Sequence, residues 1–262
     1  MVRVRNIILF AVAAATAAVP GPVSAEIDFL VPGVSLHSVD FTAGTSVSYL
    51  IISEAHGIKD SSLVTLRVTE KDSGAAGLEI TSTSWPPVDM ETVTVRLTLC
   101  PEASLMKTPE EFYACISDIL IRNGTEPFRE PSLEELEDFD IGRLFLKRSE
   151  GLQREELEPE TVEVPAGTFR CDVFEYFRSD RRDVAMGGIT AERFEEERSI
   201  LRISSEVPFW GLVRSRVERT STTSYPGGRN PREARPKVTV TESVLTGYSS
   251  PCLLYTSPSP RD

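Results

Sequence analysis

A cysteine just beyond a sharp turn is the first residue in this chain whose setting suggests chemistry. In TVEVPAGTFRCDVFEYF, Thr161–Phe177, Cys171 follows the Pro165-Ala166-Gly167 hinge. A nucleophilic cysteine must be thiolate, so it needs a base nearby and an electropositive setting. His37 and His56 are the only histidines, and both lie far upstream. Cys171 therefore reads as a small buried apolar residue. His56 with Glu54 and Asp60 offers nitrogen and carboxylate ligands at short spacing, yet a solvated connection between strands has the same composition, and no metal is expected there. The acidic run Glu134, Glu135, Glu137, Asp138 and Asp140 lacks the spaced Asp/Asn-Gly pattern of a calcium loop and reads as a solvated helix face. No nucleophile elbow, phosphate loop, zinc-protease helix or dinucleotide fingerprint occurs. Neither an enzymatic activity nor a cofactor is expected.

The elements that would position these residues are mostly strands. Val93, Val95, Leu97 and Leu99 alternate with Thr92, Thr94, Arg96 and Thr98, the period of a strand with one buried face. Val64–Val68 and Leu78–Thr81 alternate in the same way, and Val47–Ile52, apolar on both faces, suits a central strand. Further strands are expected near Ile141–Leu146, Val162–Val164, Phe169–Phe177, Ser199–Ser204, Leu212–Arg219 and Val238–Leu245. Pro165 lacks an N–H and Gly167 tolerates a positive φ, so the hinge is a tight turn. It sends Phe169, Cys171 and Val173 to one face and leaves Phe174 and Tyr176 on the other, through either a bulge or burial on both sides.

One substantial helix is expected over Thr108–Gly124. Thr108 is a candidate N-cap with Pro109 at the first helical position and Glu111 completing a capping box. Phe112, Cys115, Ile116, Ile119 and Leu120 recur at helical spacing, and Asn123-Gly124 supplies a left-handed stop. A short second helix is expected from Ser132. The fold class expected is mainly β with one substantial helix (α+β): a curled antiparallel sheet, or half-open barrel, with the helix across its concave face.

On that fold the apolar groups facing the concavity are Tyr49, Trp85, Val95, Phe112, Ile116, Ile119, Phe169, Phe209 and Trp210. They either line a ligand cavity or fill the core. Cys100 and Cys115 either form a disulfide, in an oxidising compartment, or leave Cys115 buried and free. The formal net charge is −12, with most of the excess in residues 26–150. That potential opposes binding to nucleic acid or an anionic membrane surface and leaves a basic envelope protein as a candidate partner.

The ends carry separate messages. Arg3 and Arg5 precede an apolar run from Ile7 to Val19, and Val23-Ser24-Ala25 then meets Glu26, which reads as a secretory signal peptide cleaved at Ala25. The run is short for a membrane span, and no second span follows, so the chain is not expected to be an integral membrane protein. A periplasmic or secreted location and a single β-rich domain over 26–251 are expected. CLLYTSPSPRD, Cys252–Asp262, resembles a translated sequencing adapter, which implies that the natural C-terminus is missing.

Two segments, VEVPAGTFRCDVFEY from Val162 and SEVPFWGLVRSRVE from Ser205, resemble motifs in a group of exported bacterial proteins of unknown function. That group is similar to the periplasmic lipoprotein-localisation carriers. The resemblance implies a half-open β-barrel, closed by helix, whose concave side can hold acyl chains. The resulting expectation is a non-enzymatic binding protein for an acyl chain or lipid-linked group. The alternative is an envelope interaction or structural protein with a filled core.

Overall fold

The computed structural model describes residues 42–70, 75–84, 92–100, 114–132, 153–186, 189–209, 211–224 and 236–250. The leader, Trp85, Phe112, the acidic run, the strand expected at Ile141–Leu146, Trp210 and the adapter-like tail fall outside these residues.

Among the described residues, ten antiparallel strands form a single open sheet. Their bounds are β1 Ser46–Ala55, β2 Ile58–Glu70, β3 Ala76–Ser84, β4 Thr92–Leu99, β5 Ile116–Asn123, β6 Gln153–Val164, β7 Gly167–Met186, β8 Ile189–Ile203, β9 Leu212–Ser224 and β10 Lys237–Ser249. The spatial order is β5-β4-β3-β2-β1-β10-β9-β8-β7-β6. Two meanders of five strands are thus joined where β1 pairs with β10, which places the apolar Val47–Ile52 stretch mid-sheet.

The substantial helix is not found among the described residues, and this corrects the α+β expectation. Ala114 and Cys115 are helical, but Ile116–Asn123 is strand β5, paired with β4 from Val93↔Asn123 to Leu99↔Ile116. The segment fits both periods. Ile119 and Ile121 also alternate with Leu120 and Arg122, and isoleucine suits a pleated surface. Helix propensity is a weak prior, and here the exposed edge of β4 supplies hydrogen bonds to a strand instead. Asn123-Gly124 is accordingly a turn after a strand: Gly124 has φ 55° and its N–H donates to Thr92 O at 2.7 Å. With Ile116 and Ile119 on β5, no helix carries them over a concave face.

The sheet curls. At about 4.8 Å per strand, β7 and β10 lie ~14 Å apart on a flat sheet. Yet the Phe169 ring of β7 is 5.9 Å from the Tyr248 ring of β10. The tip of the β6–β7 hairpin, beyond the last β8 pair at Asp172↔Ile203, is turned back onto the sheet. There Val162, Val164, Phe169 and Cys171 join the same contiguous core as Val47 and Leu78.

The hinge before Cys171 is the turn of that hairpin, with Val164 paired to Gly167 and φ 141° at Gly167. The ambiguity along β7 resolves as burial on both faces. Phe169, Cys171 and Val173 are buried on one side and Tyr176 on the other, with register against β8 unbroken from Asp172 to Met186. The irregularity belongs to the partner strand, between Leu157 and Glu160, around Pro159. Proline cannot donate to a ladder, and β6 is an edge strand, where that omission is tolerated. The opposite edge is partly covered: Ile121 and Arg129 exchange backbone hydrogen bonds at 2.8 and 2.9 Å, and Phe128 lies under the guanidinium groups of Arg96 and Arg122.

Candidate functional site

Directly opposed residues on antiparallel strands share a face, so the registers trace rows of side chains across the sheet. Val47, Leu66, Ile80, Val95 and Ile121 form one row over β1–β5, wholly apolar and buried. Further along the same face, Leu201, Ser215, Ser243, Ile51 and Ser62 form a second row in which two aliphatic groups are interspersed with three small hydroxyls. A third row runs Arg154, Tyr176, Ser199, Val217, Thr241 and Ser53. A fourth contains Arg178, Glu197 and Arg219. The inner face therefore grades from apolar, through a belt of buried hydroxyls, to charged at the far ends of β7–β9. The opposite face carries ion pairs such as Arg96–Glu79 and Arg216–Glu242, as a solvated surface should.

Tyr49 lies at the centre of the apolar part. Its ring is fully buried, and its hydroxyl donates to Leu212 O at 3.0 Å, two strands away. Burial raises its phenol pKa, so the hydroxyl stays a donor at any ordinary pH. The connection between β8 and β9 closes over the same core with Val207 and Phe209, both buried. It is held by Ser204 N–H to Gly211 O at 2.8 Å and Val207 N–H to Ser204 O at 3.2 Å. Phe209 has φ 62°, a conformation costly for an aromatic residue, and Gly211 has φ 76°. A Cβ on Gly211 would stand 2.6 Å from Ser204 O, so only glycine lets the chain return this closely.

Of the nine residues assigned to the concavity, six are described. Tyr49, Val95, Phe169 and Phe209 are at most 4% exposed and belong to one core, with Ile116 and Ile119 packed against it. Trp85, Phe112 and Trp210 lie outside the described residues. Cys100 and Cys115 are joined in a disulfide between the end of β4 and the start of β5.

Cys171 is free and buried, and its thiol is pushed up to about 11, first by burial and then by the Glu160 carboxylate. It is a protonated core group at neutral pH. His56 forms a two-residue turn with Gly57 between Ala55 and Ile58, both in the left-handed region, so the type of turn accounts for its place. Among the described residues no three His, Cys, Asp or Glu side chains converge as metal ligands do, and no helix is long and apolar enough to cross a membrane.

The inner rows were not legible in the sequence. The hydroxyls come from five strands, and Arg154, Tyr176 and Arg178 each sit in ordinary strand sequence. Only the pairing register aligns them.

No protein-family model and no curated protein matches the chain. Among solved structures, it is similar to a Bacteroides fragilis protein described as exported, with a YmcC-like fold, at 15% identity over 80% of this chain and 97% of that one, with a TM-score of 0.27. A protein from Parabacteroides distasonis described as a lipoprotein is similar at 14% identity over 80% and 97%, with a TM-score of 0.30. A Vibrio parahaemolyticus domain described as outer membrane lipoprotein-sorting is similar at 11% identity over 84% and 90%, with a TM-score of 0.23. At these scores the likeness is loose and says nothing of a ligand.

Proposed function

We propose that this is a non-enzymatic binding protein of the periplasm or extracellular space that shelters an apolar chain, such as an acyl chain or lipid-linked group, against the inner face of its curled sheet. The observation that carries this reading is the gradient along that face. A row of full-sized aliphatic groups gives way to the small hydroxyl side chains of Ser199, Ser215, Ser243 and Ser62, and then to arginines. That sequence of environments suits an amphiphile with one apolar and one polar end. The disulfide supports a location in an oxidising compartment, and the apolar run before Ala25 supports export. Cys171, held as a thiol, favours binding over covalent catalysis.

A second reading has its own observation: Tyr49, Leu78, Leu97 and Leu99 are fully buried, as in a filled core. On that reading the protein is an envelope interaction protein whose acidic surface meets a basic partner. Native mass spectrometry after gentle purification, followed by titration with the neutral fluorophore N-phenyl-1-naphthylamine, separates the two. Co-purified lipid or saturable fluorophore binding is expected. Absence of both would sink the carrier reading and leave the interaction protein.

A further inference from the structure

Most arginines of β6–β10 have a carboxylate partner, including Arg181 with Glu192, Arg198 with Glu175 and Arg202 with Glu160. Arg154 and Arg178 make no ion pair among the described residues, although both lie on the inner face. Arg154 is directly opposite Tyr176. Arg178 follows two residues along the same strand face, opposite Glu197. That carboxylate is already engaged: Arg219 Nε donates to Oε2 at 2.9 Å and Ser199 Oγ to Oε1 at 3.3 Å. The Cα atoms of Arg154 and Arg178 are about 8–9 Å apart, one strand spacing across and two residues along, and Tyr176 neighbours both, opposite Arg154 and two residues before Arg178 on the same face.

The local chemistry prepares these groups for an anion. The Arg154 guanidinium lies over the Phe174 ring, 4.2 Å from its carbon to the ring centroid, and donates to no side chain among the described residues. Arg178 is half-buried, where a charge is worth more than in open water. Burial raises the Tyr176 phenol and Arg154 draws it back, leaving a hydroxyl donor at neutral pH. Glu156 and Asp180 stand nearby on the same face, so the local net charge is small. This favours a compact anion recognised by two guanidinium forks over an extended polyanion.

We infer that Arg154, Arg178 and the Tyr176 hydroxyl form an anion subsite at the β6–β7 end of the inner face, which takes the phosphate or carboxylate head of the bound amphiphile. The inference rests on the carrier reading. From this subsite the belt of Ser199, Val217, Thr241 and Ser53 leads across the sheet toward β1 and the Tyr49 core.

The test is displacement of N-phenyl-1-naphthylamine from the full chain by dodecanol, dodecanoate and dodecyl phosphate, beside direct titration with inorganic phosphate. Dodecyl phosphate should compete at least 10-fold better than dodecanol. The Arg154→Gln/Arg178→Gln double variant should lose that gain and keep its dodecanol affinity, and Arg178→Lys, which keeps the charge without the fork, should lose part of it. An unchanged dodecanol affinity also shows that the double variant is folded. Equal competition by alcohol and phosphate, or a gain that survives in the double variant, would overturn the subsite while leaving chain binding intact. Inorganic phosphate binding as tightly as dodecyl phosphate would overturn the headgroup assignment in favour of free phosphate. If neither fluorophore nor amphiphile binds, the carrier reading fails and the subsite with it.

Discussion

Replacing Gly211 by alanine probes whether the β8–β9 connection is locked into the core as its geometry requires. Gly211 has φ 76°, and a Cβ there would meet Ser204 O at 2.6 Å and Ile203 Cγ2 at 2.9 Å. The left-handed conformation alone costs an L-residue about 1–2 kcal/mol. Relieving the overlap requires the Ser204–Gly211 connection or β8 to shift, and overpacking of this kind adds ~1–3 kcal/mol. Gly124 is the matched control, since its φ is 55° and nothing lies within 4 Å of its Cβ position. Gly124→Ala should therefore cost only the conformational part, about 1–2 kcal/mol, and Gly211→Ala the sum, ~2–5 kcal/mol. Urea unfolding followed by far-ultraviolet circular dichroism measures both, with an unchanged slope on denaturant showing that the unfolded state is the same. If the two variants lose the same stability within about 0.5 kcal/mol, the connection moves freely. Val207 and Phe209 would then not be fixed parts of the core.

Other outcomes follow from single features. Replacing Cys100 and Cys115 with serine should cost about 3 kcal/mol, read as the difference between oxidised protein and the double variant in urea, because the bridge closes a loop across 15 residues of sequence; equal stability would show that the β4–β5 pairing needs no staple. Stability should be flat from neutral pH to about pH 9 and fall as pH rises through about 11, because burial raises the folded-state pKa of Cys171 from 9.0 and that of Tyr49 also lies above its ordinary value. A protein with raised pKa values holds these protons more tightly when folded, so proton loss favours unfolding. Cys171→Ser, which does not ionise in this range, should flatten part of the fall in the urea midpoint, and an unchanged pH profile would refute the assignment. Thr45 Oγ1 is buried without a hydrogen-bond partner among the described residues, so Thr45→Val should be neutral or stabilise by about 1 kcal/mol in the same assay, whereas a clear loss would reveal a partner for that hydroxyl.

The sequence by itself determined the strands whose residues carry a single period, and the turn at Pro165-Gly167. Alternation is a local signal: Val93–Leu99 and Val64–Val68 write the strand period into neighbouring residues, and Pro165 with Gly167 writes the hairpin turn. It also placed Cys171 in the core, because a thiolate needs neighbours that the chain does not supply.

Tertiary structure decided Ile116–Asn123, which carries both helical and strand periods. The free edge of β4 settled the matter by accepting β5, and no pattern within those eight residues contains that edge. The β1–β10 pairing that joins the two meanders is likewise invisible locally, since its residues are some two hundred positions apart in the chain. The candidate site is the extreme case. Arg154, Tyr176 and Ser199 become neighbours only through the registers of three strands, and a slip of one residue would send each to the opposite face. Strand identity is set by the period of a segment where only one period is present, but the contents of a face are set by register. Register is fixed by the sum of pairings across the whole sheet, which no single stretch of sequence encodes.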